Sequence, residues 1–151
     1  MNKVFFDLEW NTGFLDGNSF DEIIEIGAVK TDEEYREIDG FRRLIRPAIY
    51  RKMNPYIQKI LSITMKDLQN EEPLQAVAKA FFDWCGDCDT LIAWSGNDFG
   101  VLEKNLAHIG MEVPKRLNRY DVQMAYSYRT EKSIRNLSLI HISEPTRLRR
   151  I

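Results

Sequence analysis

Two carboxylates stand two positions apart in an apolar stretch near the first residue, Phe5-Phe6-Asp7-Leu8-Glu9-Trp10. Successive strand residues point to opposite faces, so Asp7 and Glu9 project from one face, and Phe6 and Leu8 from the other. Like charges on one face raise each other's pKa unless a cation lies between them, and a divalent metal ion commonly fills that role at functional sites. The stretch therefore indicates either a metal site or a strand end that emerges into solvent.

Length and composition limit what can position these acids. The chain has 151 residues, of which 44% are hydrophobic, which suits one domain with a substantial core. It contains neither an apolar run of membrane-spanning length nor a signal-peptide pattern at Met1. We therefore expect a cytoplasmic protein without a membrane partner.

The pattern Cys85-Gly-Asp-Cys88 could be a redox pair or half of a zinc site. The sequence holds no second cysteine pair, and no nearby histidine completes a tetrahedral zinc set. Because Cys85 closes an amphipathic helical pattern, we interpret both thiols as buried residues at a helix end. We expect no small-molecule cofactor.

The first third of the chain predicts three strands. The Gly-, Asn- and Asp-rich stretch 11–21 predicts a loop after the first strand, and short polar turns predict antiparallel neighbours at 22–30 and about 35–46. Glu25 is either a solvent-side residue of an amphipathic strand or a buried acid held by hydrogen bonds. Alternation alone favours the solvent side.

Helices and one further strand follow, with a last strand or turn before Tyr120, and two of the helices begin at acids. We predict helices at 54–61 and from Glu72 to Cys85, a strand at 90–94, a helix from about Asp98 to Ile109, and a last helix to about Arg129. Asp98 in a first turn is ordinarily a cap, yet this position also lies over the carboxyl edge of the sheet, near Asp7 and Glu9. We interpret Asp121 as the cap of the last helix.

A basic segment spans residues 40–66, which contain no acidic residue. Lysine and arginine neutralise phosphates, and aromatic faces stack on exposed bases, although a charge run is also typical of a plain solvated face. The net charge of −2 does not itself indicate nucleic acid. The basic side chains are Arg42, Arg43, Arg46, Arg51, Lys52, Lys59 and Lys66, interleaved with Phe41, Tyr50 and Tyr56.

Five segments in combination resemble the DnaQ-like 3′-to-5′ exonucleases of the DEDDh class, in the ribonuclease H-like superfamily. They are Phe6–Trp10, Glu22–Val29, Arg46-Pro47, Leu61–Thr64 and Trp94–Asp98. The resemblance covers Val4 to about Tyr128. It implies an α/β fold whose mixed sheet has three antiparallel strands followed by parallel strands, flanked by helices.

The resemblance also implies a site. Asp7, Glu9 and Asp98 match three of the family's four metal-binding acids, which hold two Mg²⁺ or Mn²⁺ ions for hydrolysis at a single-stranded 3′ end of RNA or DNA. Two such ions about 3.5 to 4 Å apart can position the attacking water and stabilise the departing oxygen. The carboxylate donors suit these hard cations.

Three further residues are candidates for holding the terminal nucleotide. Trp10 could stack on a base, and Asn11 and Thr64 could donate or accept hydrogen bonds. Ordinary packing and loop structure would explain the same three residues equally well.

The chain departs from the family in its last motif, a general-base histidine followed five residues later by the fourth aspartate. The only histidines are His108 and His141; position 146 is Thr146, and no aspartate follows Asp121. Neither the base nor the fourth aspartate is therefore present in this chain. Loss of a general base typically costs about 10²- to 10⁴-fold in rate.

The stretch 137–147 resembles a translated sequencing adapter. We interpret residues 1–136 as a truncated exonuclease domain without the last family helix, and 137–151 as a foreign tail, so that His141 is no catalyst. The chain itself is then expected to be weakly active or inactive. The alternative is a non-catalytic module of the same fold that binds single-stranded nucleic acid.

Overall fold

A mixed five-stranded sheet forms the centre of the protein, whose computed structural model describes residues 1–130. The strand order is β3-β2-β1-β4-β5; the first three strands pair antiparallel, and β4 and β5 join in parallel. This arrangement confirms the predicted α/β mixed sheet. The strands are β1 (Lys3–Leu15), β2 (Asn18–Thr31), β3 (Glu37–Leu44), β4 (Thr90–Ala93) and β5 (Asn118–Asp121).

The predicted helices are also present, with ends shifted by a few residues. None of the described helices is long and apolar enough to cross a membrane. Asp121 accepts a hydrogen bond from the backbone N–H of Met124 at 2.8 Å, which confirms it as the cap of the last described helix. The helices are α1 (Pro55–Leu61), α2 (Met65–Leu68), α3 (Leu74–Cys85), α4 (Gly96–His108) and α5 (Val122–Thr130).

The predicted loop at 11–21 is wrong, because β1 and β2 continue as a long hairpin as far as the turn at Asp16-Gly17. Both turn residues have positive φ, 51° and 81°, which the tight connection requires and which Asp and Gly tolerate. The polar composition suggested a loop, but cross-strand pairing and contacts to residues 48–54 keep this part of the chain extended.

The third strand is shorter than predicted. The carboxylate of Asp32 accepts hydrogen bonds from the backbone N–H groups of Glu34 and Arg36, both at 2.9 Å, and Tyr35 between them has a φ of 63°. This turn holds residues 32–36 out of the sheet, so β3 begins only at Glu37.

The main core lies between one face of the sheet and the helices α3 and α4. Phe6 of β1 contacts Phe81 of α3 and Phe99 of α4, with ring centroids 6.3 and 5.2 Å apart. Val4 and Leu8 are buried on the same face as Phe6, which confirms the alternation predicted for the first strand. Asp7 and Glu9 consequently occupy the other face.

Three predictions lie outside the described residues. They are the missing last family helix, the domain boundary between residues 136 and 137, and the position of His141.

Candidate active site

The structure brings Asp7 and Asp98 together beside β1, two residues past Phe5, the last residue of β1 that pairs with β4. Strand β4 runs parallel to residues 3–5 of β1 and is followed by α4, so the first turn of α4 lies beside the next residues of β1, at Asp7 and Leu8. Asp98 is only 7% exposed, and its Oδ1 accepts a hydrogen bond from the backbone N–H of Leu8 at 3.4 Å. A residue in the first turn of one helix thus reaches the strand position between the two acids of the first motif.

The surroundings of Asp7 and Asp98 disfavour the ionised form of both carboxyl groups. Burial, followed by the charge of Asp7, raises the pKa of Asp98 to about 6. Asp7 is exposed by its accessible surface, unlike Asp98, but the surrounding protein partly desolvates its carboxyl group. This desolvation, and to a smaller extent the charge of Glu25, raises the pKa of Asp7. Within residues 1–130, no salt bridge joins a lysine or arginine to either acid. Adjacent carboxylates of this kind are suited to a divalent cation.

Glu9 shares the sheet face of Asp7 and pairs in register with Glu25 of β2. Among residues 1–130, no group of three or more His, Cys, Asp or Glu side chains is arranged to hold a metal ion. The described site is therefore a pair, Asp7 and Asp98, with Glu9 two residues further along the strand.

Glu25 corrects the interpretation of this strand, because it is not a solvent-side residue. It is 9% exposed, and its Oε1 accepts a hydrogen bond from Nε of Arg42 on β3 at 2.7 Å. The alternating pattern could not show that an arginine on the neighbouring strand would compensate its charge. The pairing allows a carboxylate to remain buried next to Asp7 and Glu9.

A cleft of about 190 Å³ opens next to Glu9. Trp10 is half-buried at this cleft, and its indole also packs against the main core. The volume is below the roughly 300 to 1,000 Å³ of typical small-molecule pockets, so the cleft suits one part of a larger ligand. Its lining residues are Leu8, Glu9, Trp10, Ile57, Ile60 and Leu61.

Asn11 is 1% exposed and binds within the protein. Its Nδ2 donates to the carbonyl of Lys52 at 3.0 Å, and its Oδ1 accepts from the backbone N–H of Asn54 at 2.8 Å. Asn54 in turn caps α1 by accepting from the N–H of Tyr56. Asn11 therefore attaches the start of α1, one wall of the cleft, to strand β1.

Thr64 also bonds locally. Its Oγ1 and backbone N–H both donate to Oδ2 of Asp67 at 2.8 Å, and its Oγ1 accepts from the N–H of Asp67. This reciprocal arrangement is a capping box at the start of α2.

Sequence reasoning missed Glu22, which anchors the same region. Its buried carboxylate accepts hydrogen bonds from three successive backbone N–H groups, those of Ala48, Ile49 and Tyr50, at 2.9, 2.8 and 3.0 Å. The only signal was an acid at the start of an apolar strand, and its partners lie more than 25 positions away. With Asn11, it fixes the segment that leads from β3 to α1.

The basic segment does not form one surface. Arg42 pairs in register with Gly27, opposite Asp7, whereas Arg43 pairs with Ile26 and lies over the ring of Phe41, on the core side of the sheet. The five remaining basic residues of the segment, Arg46, Arg51, Lys52, Lys59 and Lys66, are exposed in and around the loops and short helices that follow.

His108 lies far from the acids. It closes α4, ten residues after Asp98, which corresponds to about 15 Å along the helix axis. Its ring contacts Phe20 with the centroids 5.7 Å apart.

Both cysteines are buried and unpaired at the end of α3, as predicted. Burial raises the pKa of the Cys85 thiol to about 12 and also raises the pKa of Cys88. A reactive redox thiol requires a lowered pKa, so this pair lacks that property.

Sequence comparison supports the family resemblance. A family model described as Exonuclease (RNase_T) matches residues 4–144. The PolC-type DNA polymerase III of Clostridium perfringens is 34% identical over 109 residues, and that of Staphylococcus haemolyticus is 30% identical over 107 residues. Each alignment covers 71% of this chain but only 7% of the polymerase, so the chain spans a small part of these relatives.

Solved structures share the fold. A full-length 3′-exonuclease superposes with a TM-score of 0.79 at 16% identity, covering 92% of this chain and 67% of that one. The nuclease domain of 3′hExo, a DEDDh family member bound to rAMP, gives 0.72 at 16% identity, covering 89% and 72%. Escherichia coli exonuclease I in complex with a dT13 oligonucleotide gives 0.67 at 18% identity, covering 84% and 29%.

These matches define the class of the protein. The chain belongs to the exonuclease family and has the ribonuclease H-like fold of DEDDh 3′ exonucleases, which confirms the resemblance inferred from its sequence motifs.

Proposed function

We propose that the chain is the catalytic domain of a metal-dependent 3′-to-5′ exonuclease that acts on single-stranded 3′ ends of RNA or DNA. The observation that carries the proposal is the pair of acids Asp7 and Asp98, both with raised pKa values and with no basic side chain of residues 1–130 in a salt bridge to either. The family match supports a nuclease, and the complexes of similar structures with rAMP and dT13 are consistent with a nucleic-acid substrate.

The donor set fits hard divalent cations, Mg²⁺ or Mn²⁺, because all of its ligands are carboxylate oxygens. Asp7 and Asp98 would hold the metal, and Glu9 would complete its shell from the adjacent position on the same face. A metal bound there supplies charge stabilisation to the phosphate and lowers the pKa of bound water. The protein's contribution is a rigid pair of ligands on β1 and α4, which are packed against the same core.

We propose that Trp10 and the cleft beside Glu9 hold the terminal base, because this apolar space adjoins the acids. Asn11 and Thr64 would act indirectly. The side chain of Asn11 bonds to Lys52 and Asn54 and thereby fixes α1, which lines the cleft, whereas Thr64 bonds to Asp67 and caps α2.

The activity of this chain is proposed to be low. No aspartate follows Asp121, and His141 has Thr146 where the family motif has an aspartate, so one ligand and the base are lacking. We propose that residues 1–136 form the exonuclease domain and that residues 137–151 are a foreign tail. An uninterrupted genomic reading frame that encodes the tail would contradict it.

Hydrolysis of a single-stranded oligonucleotide labelled at its 3′ end tests the proposal. We expect slow release of the labelled mononucleotide with Mg²⁺ or Mn²⁺, none with EDTA, and loss of the release in Asp7→Ala. Exposed Asp83 of α3 provides a control, since Asp83→Ala should leave the rate unchanged. Release that survives Asp7→Ala would refute the assignment.

A non-catalytic nucleic-acid-binding module is the second candidate, favoured by the absence of a three-ligand metal group within residues 1–130. This candidate predicts equal affinity for a single strand with and without divalent metal, and no release of nucleotides under any condition.

A further inference from the structure

Three residues form one row across the first three strands of the sheet. Asp7 of β1 pairs with Gly27 of β2, and Gly27 pairs with Arg42 of β3. Cross-strand partners share a face of the sheet, so all three positions open to the face that carries the candidate active site. Adjacent strands lie about 4.8 Å apart, which places the backbones of Asp7 and Arg42 roughly 10 Å from each other.

The middle position of the row has no side chain. A Cβ built on Gly27 would come no closer than 4.0 Å to another atom, the carbonyl oxygen of Asp7, so ordinary packing does not require glycine there. Gly27 also has a negative φ, and its backbone conformation is therefore open to other residues. The glycine leaves bare backbone between an acid and an arginine.

Arg42 is held in place but retains unused donors. Its Nε donates to Glu25, one row along the same face, while the side chain is 55% exposed. An arginine has five N–H donors, so this bond does not engage those of the two terminal nitrogens. The side chain thus presents a fixed fork of donors, which is the geometry that recognises phosphate.

We propose that Arg42, beside the bare backbone of Gly27, forms a phosphate subsite for the substrate strand, in which the strand crosses the sheet over Gly27 from Asp7 to Arg42. Arg42 binds a backbone phosphate of the nucleic acid next to the phosphate that a metal ion at Asp7 and Asp98 would hold. The inference rests on the proposed function for its substrate class. The subsite differs from the proposed catalytic site because phosphate binding at Arg42 requires neither a metal ion nor hydrolysis.

The opposite face of β3 supplies the control. Arg43 adjoins Arg42 in sequence and is also exposed, but it lies over Phe41 on the core side. If positive charge alone attracted the nucleic acid, loss of either arginine would weaken binding equally. A phosphate subsite at Arg42 predicts that only the loss of Arg42 weakens binding.

Binding of a fluorescent single-stranded oligothymidylate, measured by anisotropy in EDTA over a series of salt concentrations, tests the subsite. For Arg42→Gln we expect about five- to tenfold weaker binding and a salt slope smaller by about 0.7, the value for one single-strand phosphate contact. Arg42→Lys should recover part of the affinity, and Arg43→Gln should stay within twofold of the wild type. Equal losses for Arg42→Gln and Arg43→Gln, or an unchanged salt slope, would overturn the subsite.

Two further variants separate binding from folding. Arg42→Gln leaves Glu25 buried without its partner, so the double variant Glu25→Gln/Arg42→Gln, which removes both charges, should fold normally and still bind weakly. Gly27→Val should place a side chain over the bare backbone between Asp7 and Arg42 and weaken binding at least fivefold. The melting temperature should not fall, because valine favours strands. Wild-type affinity in either variant would also contradict the proposal.

The binding test of the subsite and the nucleotide-release test of the exonuclease can give different results. If nucleotide release survives Asp7→Ala but Arg42→Gln still weakens binding in EDTA, the proposed catalysis fails and the phosphate subsite stands. If nucleotide release depends on Asp7 but Arg42→Gln and Arg43→Gln weaken binding equally, the proposed catalysis stands and the phosphate subsite fails.

Discussion

At the scale of single residues, Asp98 carries a large electrostatic cost when it is ionised. Its folded pKa of about 6 exceeds the ordinary value of 3.8, because burial and the charge of Asp7 disfavour the ionised form. Folding is therefore favoured when Asp98 is protonated, and stability falls as pH rises from 3.8 through about 6. A cation bound beside Asp98 would offset the cost of ionising its carboxyl group. The stability of the protein would then depend on both pH and metal binding through this residue.

Asp98→Asn should consequently stabilise the metal-free protein at pH 8 by roughly 3 kcal/mol, because asparagine keeps the acceptor for Leu8 without the charge. At pH 4 the difference should be small, since the wild-type carboxyl group is then protonated in the folded state. Urea unfolding at the two pH values measures this. A stability difference that is the same at pH 4 and pH 8 would contradict the electrostatic origin.

At the scale of elements, the β1–β2 hairpin supports the segment that leads to α1. Asn11 and Glu22 lie opposite each other in register and bond to the backbone of residues 48–54. Strands and most helix ends could be predicted from hydrophobic periodicity and capping residues. The hairpin extension could not, because its stability depends on partners more than 25 positions away in sequence.

Asn11→Ala tests this support. The change leaves the carbonyl of Lys52 and the N–H of Asn54 without their buried partner, which should lower the free energy of unfolding by about 1 to 3 kcal/mol. Amide hydrogen exchange at Asn54 should accelerate as well. Asn18→Ala, at the exposed tip of the same hairpin, is the matched control and should stay within about 0.5 kcal/mol. Equal destabilisation by the two variants would argue against a specific role for Asn11.

At the scale of the whole molecule, the sequence was sufficient for the fold class, and for the approach of Asp98 to Asp7, since helix α4 follows the strand parallel to β1. It was insufficient for Glu25, whose burial depends on Arg42 of a neighbouring strand, and for the row through Gly27, which depends on register. Register depends on the hydrophobic pattern and on the turns that join the strands, and the turn at Asp16-Gly17 was hidden in the stretch predicted as a loop at 11–21.

The central claim is that Asp7 and Asp98 form a divalent metal site, and Mn²⁺ binding measured by electron paramagnetic resonance at pH 8 tests it most directly. The wild type should bind Mn²⁺, and Asp7→Asn and Asp98→Asn should each weaken binding at least tenfold, while Asp83→Asn on the exposed face of α3 should not. If all four proteins bind Mn²⁺ with the same affinity, or none binds it, these acids do not form the metal site.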